Sequence, residues 1–200
     1  MRKLLEIGME QIRKLLREMG NHALESLNSV EKSMDGRFDS TEEIASRLHI
    51  LRGEVLDIAT ELLVRYSPMA GDLRFIQSAI DVSYDLYRIS RYAMEIERTL
   101  KITGVSCPFE SSRHALKIVR DMVELAVNAF LEGDEVAIGR LMEMDREVDG
   151  LYINSIELLT EDSSPCVAVE ALIIRHLERI SDHAKYIGEA TIYVKEGRRI

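Results

Sequence analysis

The sequence contains no tryptophan, only three prolines and only two cysteines in its 200 residues. So little proline leaves long stretches uninterrupted, which argues for extended helices rather than a turn-rich β architecture. Cys107 and Cys166 each stand alone beside a proline, giving neither a disulfide framework nor a Cys-x-x-Cys metal knuckle. Both are expected to be reduced thiols without a structural task. No run approaches the roughly 18 uncharged apolar residues of a membrane span, and MRKLLEIGMEQIRKLL has acids where a secretion signal would be apolar. A cytoplasmic location without membrane insertion is expected. Positive charge is scarce too: a net charge of -9 works against sequence-independent nucleic-acid binding, which relies on lysine and arginine to neutralise phosphates. There is no glycine-rich phosphate loop, no Gly-x-Ser-x-Gly elbow and no kinase signature, so no nucleophile is proposed and the chain reads as a non-enzyme.

What the sequence does have is apolar residues recurring every three or four positions. Leu5, Ile12, Leu16, Met19, Ala23, Leu27, Val30 and Met34 form one stripe, stopped by DGRFDS. Ser40-Thr41-Glu42-Glu43 reads as an N-cap followed by first-turn acids, and Ile44, Leu48, Leu51, Val55, Ile58 and Leu62 carry the next stripe. A third helix is expected from about Asp72 to Ile102, ending at Gly104. The second half repeats the plan with helices over ESSRHALKIVRDMVELAVNAFLEG, DEVAIGRLMEMDREVDGLYINSIELLTED and PCVAVEALIIRHLERISDHAKYIGEATIYVKEG. Arg88-Ile89-Ser90 corresponds to Arg179-Ile180-Ser181 at an offset of 91 residues, a short internal repeat. Helices of this length, roughly 40 to 50 Å at 1.5 Å per residue, need partners to bury their stripes. The expected fold is all-α: two tandem antiparallel three-helix bundles, over residues 1–103 and 104–200. Methionines and aromatics such as Met142, Met144 and Tyr152 are expected as core or interface filler.

Two acidic pairs stand out. Asp145 and Asp149, like Glu178 and Asp182, are spaced i, i+4, which puts each pair on one helix face where like charges repel. If their helices pack antiparallel, the pairs converge into a patch of four carboxylates suited to a hard or borderline cation. The competing expectation is that arginines, Arg146 and Arg179 among them, serve as counter-charges. His49, His176 and His183 are expected to be packed or solvated. No Glu-x-x-His arrangement of the di-iron type is present.

At these residues the chain resembles the PhoU family, phosphate-transport accessory proteins built from two three-helix bundles. Pro68, Ala70, Asp72, Leu73 and Arg74 follow the family's proline, small residue, Asp-Leu-Arg pattern, and HLERISDHAKYIGEATIYVKEG follows its Glu-Arg-Ile-Gly-Asp-His motif and helical tail. The resemblance implies an iron or zinc site on Asp145, Asp149, Glu178 and Asp182. It also implies a homodimeric adaptor that damps high-affinity phosphate uptake through an ABC transporter, with the transporter's ATPase subunit and a sensor histidine kinase as partners. The alternative is a metal-binding bundle with storage or hydrolytic chemistry at the carboxylate patch. In the first half, Tyr87 and Arg91 stand where Glu178 and Asp182 stand in the second, and Ala45 and His49 where Asp145 and Asp149 do. Arg91 is expected to neutralise Glu95 well, and Asp85 only loosely. Ser181 replaces the family's glycine and is expected to matter little, because serine suits a helix better than glycine does.

Overall fold

A computed structural model describes residues 2–39 and 41–199. The described residues form six helices: α1 (Arg2–Met34), α2 (Thr41–Tyr66), α3 (Gly71–Thr103), α4 (Glu110–Glu132), α5 (Ala137–Glu161) and α6 (Pro165–Glu196). Ser40, the expected N-cap of α2, lies outside them. All eight residues of the α1 stripe are buried, and in α2 Leu48, Leu51, Val55 and Leu62 are buried while Ile44 and Ile58 lie half-buried at the edge of the core. The helix ends follow local chemistry. Gly104, Gly133 and Gly197 adopt left-handed φ of 59°, 71° and 73°, and their N–H groups cap carbonyls of Leu100, Ala129 and Tyr193. α5 starts at Ala137, three residues after Asp134, because Asp134 accepts a hydrogen bond from Val136 N at 3.0 Å and holds the preceding turn.

α1, α2 and α3 pack on one another, as do α4, α5 and α6, and both triplets share one continuous core. The triplets meet along two seams. α3 runs antiparallel to α6: His183 meets Asp85, Tyr92 meets His176, and Tyr193 Oη donates to Gln77 Oε1 at 3.4 Å. α1 runs antiparallel to α4, with Arg17 reaching Glu132 and Arg120 reaching Glu31. The offset of 91 residues and the antiparallel pairing together make the molecule pseudo-two-fold, with the axis passing near Ile89 and Ile180. Arg74 of the Asp-Leu-Arg element has a structural task here. Its Nε donates to Val194 O at 3.0 Å and Nη2 to Lys195 O at 3.4 Å, so the start of α3 caps the end of α6.

The cysteines differ from expectation: Cys107 and Cys166 form a disulfide across 59 residues of sequence. Cys107 lies in the α3–α4 linker and Cys166 in the first turn of α6, and the antiparallel return of α6 brings the two together. Spacing alone carries no sign of this proximity. No helix among the described residues is long and apolar enough to cross a membrane.

Candidate functional site

α5 and α6 present the two acidic pairs to each other because they too are antiparallel, with Leu141 packed on Gly188 at one end and Asp145 on Ser181 further along. Gly188 makes this approach possible: a Cβ there would sit 2.5 Å from Leu141 Cδ1. The four predicted residues Asp145, Asp149, Glu178 and Asp182 therefore share one neighbourhood. Burial raises the Asp149 carboxyl above its ordinary range, and the charges of Asp145 and Asp182 raise it further against Lys185 and Arg179. Burial likewise raises Glu178, with Arg175 and Arg179 opposing and Asp182 and Asp149 adding to the rise.

Three cations are interleaved with these acids. Lys185 Nζ donates to Asp145 Oδ2 at 2.5 Å and to Asp182 Oδ1 at 3.2 Å, bridging the two helices. Arg179 pairs with Asp182 and lies 3.3 Å from Glu178, and Arg175 pairs with Glu178. Counter-charge does come from arginine: from Arg179, as expected, and from Arg175 beside it. Arg146 makes no ion pair among the described residues. Lys185, which the sequence reading passed over, sits one turn beyond Asp182, and its i, i+3 spacing was the available signal. Against the effect of burial, hydrogen bonds and charge from Asp145 and Asp182 hold its ammonium well above the ordinary lysine range.

Ser181 is the second missed residue. It is fully buried and its Oγ donates to Asp145 Oδ1 at 2.7 Å. Helix propensity judged it neutral, yet its effect comes from the side chain it faces on α5. His183 also acquires a partner, Asp85 of α3, at 2.8 Å, so Asp85 belongs to the inter-bundle seam and Arg91 is left with Glu95 at 3.9 Å. Burial raises the Asp85 carboxyl despite that histidine.

Among the described residues, no three His, Cys, Asp or Glu side chains are arranged to hold a metal ion. The donors are nevertheless of a type that cations accept, although the side chains as placed do not gather three of them. Carboxylate oxygens suit hard and borderline cations, and Asp149 makes no hydrogen bond or ion pair among the described residues. The Lys185 ammonium already holds the gap between Asp145 and Asp182, so a metal would enter by displacing it.

Known proteins share this architecture. The chain is 28% identical to the chain in the crystal structure of PhoU from Pseudomonas aeruginosa, with a TM-score of 0.86 over 96% of this chain and 99% of that one. The phosphate transport system regulatory protein PhoU from Streptococcus pneumoniae superposes with a TM-score of 0.75 at 18% identity over 98% of this chain and 99% of that one, a likeness of fold. In sequence, the chain is 27% identical to the phosphate-specific transport system accessory protein PhoU homolog 1 of Thermotoga maritima, over 98% of this chain and 88% of the relative. Residues 16–99 and 113–191 each match the PhoU domain, and the chain belongs to the PhoU domain family.

Proposed function

We propose that this protein is a non-enzymatic, cytoplasmic adaptor of phosphate homeostasis that lowers high-affinity phosphate uptake by an ABC transporter. The single observation carrying this reading is the pair of PhoU domains spanning most of the chain, on a scaffold superposable on a PhoU crystal structure. Relatives of near-full length are named as accessory proteins of the phosphate-specific transport system. Long rigid helix faces suit docking on a partner domain. The proposed partners are the transporter's ATPase subunit and a sensor histidine kinase, engaged by a homodimer. The test is phosphate uptake in a deletion strain grown with ample phosphate: uptake should rise, and unchanged uptake would overturn the reading.

A metal site is proposed as well because Asp149, in a patch of four acids, makes no hydrogen bond or ion pair among the described residues. Asp145, Asp149, Glu178 and Asp182 would hold iron or zinc, and the ion would supply positive charge that ties α5 to α6, the task Lys185 performs through its ammonium. Storage or hydrolytic chemistry would use the same patch. Elemental analysis of purified protein is the test, with Asp149→Ala and Asp182→Ala as controls. Stoichiometric metal lost in both variants supports the site, and metal surviving both places it elsewhere.

A further inference from the structure

α3 and α6 part near the start of α3 and the end of α6 to leave a cavity of about 220 Å³. Ser78, Asp81 and Asp85 line its α3 wall and Tyr186, Glu189 and Tyr193 its α6 wall, each set spaced i, i+3 and i+7 on one helix face. The volume is below the roughly 300–1,000 Å³ of sites for drug-sized ligands, so an occupant is small.

The polar groups on these walls are not consumed by the fold. Asp81 and Glu189 make no hydrogen bond or ion pair among the described residues. His183 Nδ1 holds Asp85 Oδ1 at 2.8 Å and leaves Oδ2 without a partner among them. Ser78 is only 2% exposed, and its hydroxyl on the cavity wall has no hydrogen-bond partner among the described residues. Buried hydroxyls are normally hydrogen-bonded, so one left open beside a cavity marks a place where an occupant completes the bond. Burial raises the Glu189 carboxyl against the charge of Lys185, with Asp145 and Asp182 adding to the rise, and Lys185 is itself engaged by Asp145 and Asp182. Arg199 lies 4.7 Å over the Tyr193 ring and pairs with none of the three acids among the described residues. With histidine counted as neutral, three carboxylates against this one guanidinium leave the cavity with two negative charges.

Packing does not require these acids. At the offset of 91 residues, Asp81, Asp85 and Glu189 correspond to Leu172, His176 and Arg98. The α3–α6 seam therefore closes at its other end with no carboxylate at any of the three places. Glu95, in the place of Tyr186, is there paired with Arg91 and Arg98.

We propose that the α3–α6 cavity binds a small organic dication, a short-chain diamine, held by Asp81, Asp85 and Glu189, with the Ser78 hydroxyl accepting an ammonium hydrogen and Tyr186 and Tyr193 flanking the chain. An anion would meet excess negative charge, and a neutral apolar molecule would leave three carboxylates desolvated. Asp81 and Asp85 stand about 6 Å apart along α3 at 1.5 Å per residue, a distance that the two ammonium groups of an extended four-carbon diamine span. Acids set out along two walls suit two separated charges better than one metal ion, since no three His, Cys, Asp or Glu side chains among the described residues gather around a point. The proposal concerns a ligand and stands or falls apart from the adaptor reading.

The test is isothermal titration calorimetry of the full chain with putrescine at about 0.15 M salt, where long-range attraction to an acidic chain is screened. Butylamine and 1,4-butanediol serve as singly charged and uncharged analogues. Putrescine should bind at one site per chain, on the order of tenfold more tightly than butylamine, and butanediol should not bind. Asp81→Asn/Glu189→Gln should weaken putrescine binding on the order of tenfold or more, and Ser78→Ala several-fold. Asp121→Asn/Glu124→Gln removes the same charge from exposed α4 surface and should leave binding unchanged. If the cavity double variant loses its helical circular dichroism, Asp81→Asn alone, at an exposed position, should still weaken binding several-fold. Absence of saturable binding overturns the proposal, as does an equal loss in the two double variants or equal affinity for butylamine and putrescine. Displacement of putrescine by an equal concentration of Mg2+ assigns the carboxylates to a metal ion and overturns it as well.

Discussion

Replacing Lys185 with methionine keeps most of the stem and removes the ammonium that ties α5 to α6. Asp145 has only 8% of its side chain exposed, and it would keep the Ser181 hydroxyl while losing the one ion pair it makes among the described residues. Breaking a buried pair from one side costs about 3–5 kcal/mol, because the remaining charge is left desolvated. That range is an upper bound here, since Lys185 is 22% exposed and Asp182 retains Arg179. A loss of about 2–3 kcal/mol is therefore expected, or roughly 5–10 °C in midpoint for a chain of this size. The assay is urea and thermal unfolding in chelator-treated buffer, followed by circular dichroism, with Lys117→Met on exposed α4 surface as a control within about 0.5 kcal/mol. If Lys185→Met unfolds at the same midpoint as the wild type, the lysine is not the counter-ion of the patch.

Three further outcomes are expected. Reducing the disulfide, or changing Cys107 and Cys166 to serine, should lower stability by at most about 4 kcal/mol for closure of a loop of this length; an unchanged urea midpoint under reductant contradicts the cross-link. Gly188→Val should destabilise by about 1–3 kcal/mol by driving into Leu141, whereas Gly53→Ala, with open space around it in α2, should stabilise by about 0.5–1 kcal/mol; chemical denaturation of the two variants gives the comparison. Burial lowers the pKa of His176, with Arg175 adding to this and Glu95 opposing it, so the folded state takes up fewer protons than the unfolded chain near the ordinary histidine value of about 6.5. Its contribution is present above that pH and lost as pH falls through it, so His176→Gln should flatten the stability profile between neutral and mildly acid pH; a profile identical to the wild type's would contradict this.

Periodicity alone located the helices, because each must bury a stripe every three or four residues and few prolines interrupt them. Leu5 to Met34 are buried as the stripe requires. The glycine stops at Gly104, Gly133 and Gly197 follow from backbone sterics that any sequence obeys locally. The i, i+4 acids were equally legible, since that spacing fixes a shared face before any packing occurs. The identity of the opposing residues was not legible. Lys185 bridges to Asp145 over 40 residues, Ser181 reaches the same carboxylate over 36, and Cys107 meets Cys166 over 59. Such partners are set by helix register and by which face α6 turns to α5 and to the α3–α4 linker, quantities to which local propensity is blind. The sequence by itself determined six amphipathic helices, their repeat and two acidic pairs, with Arg175, Arg179 and Lys185 each three residues from an acid of α6; the tertiary structure alone decided which groups of α6 reach Asp145 of α5, because only antiparallel packing sets groups distant in the chain within bonding distance.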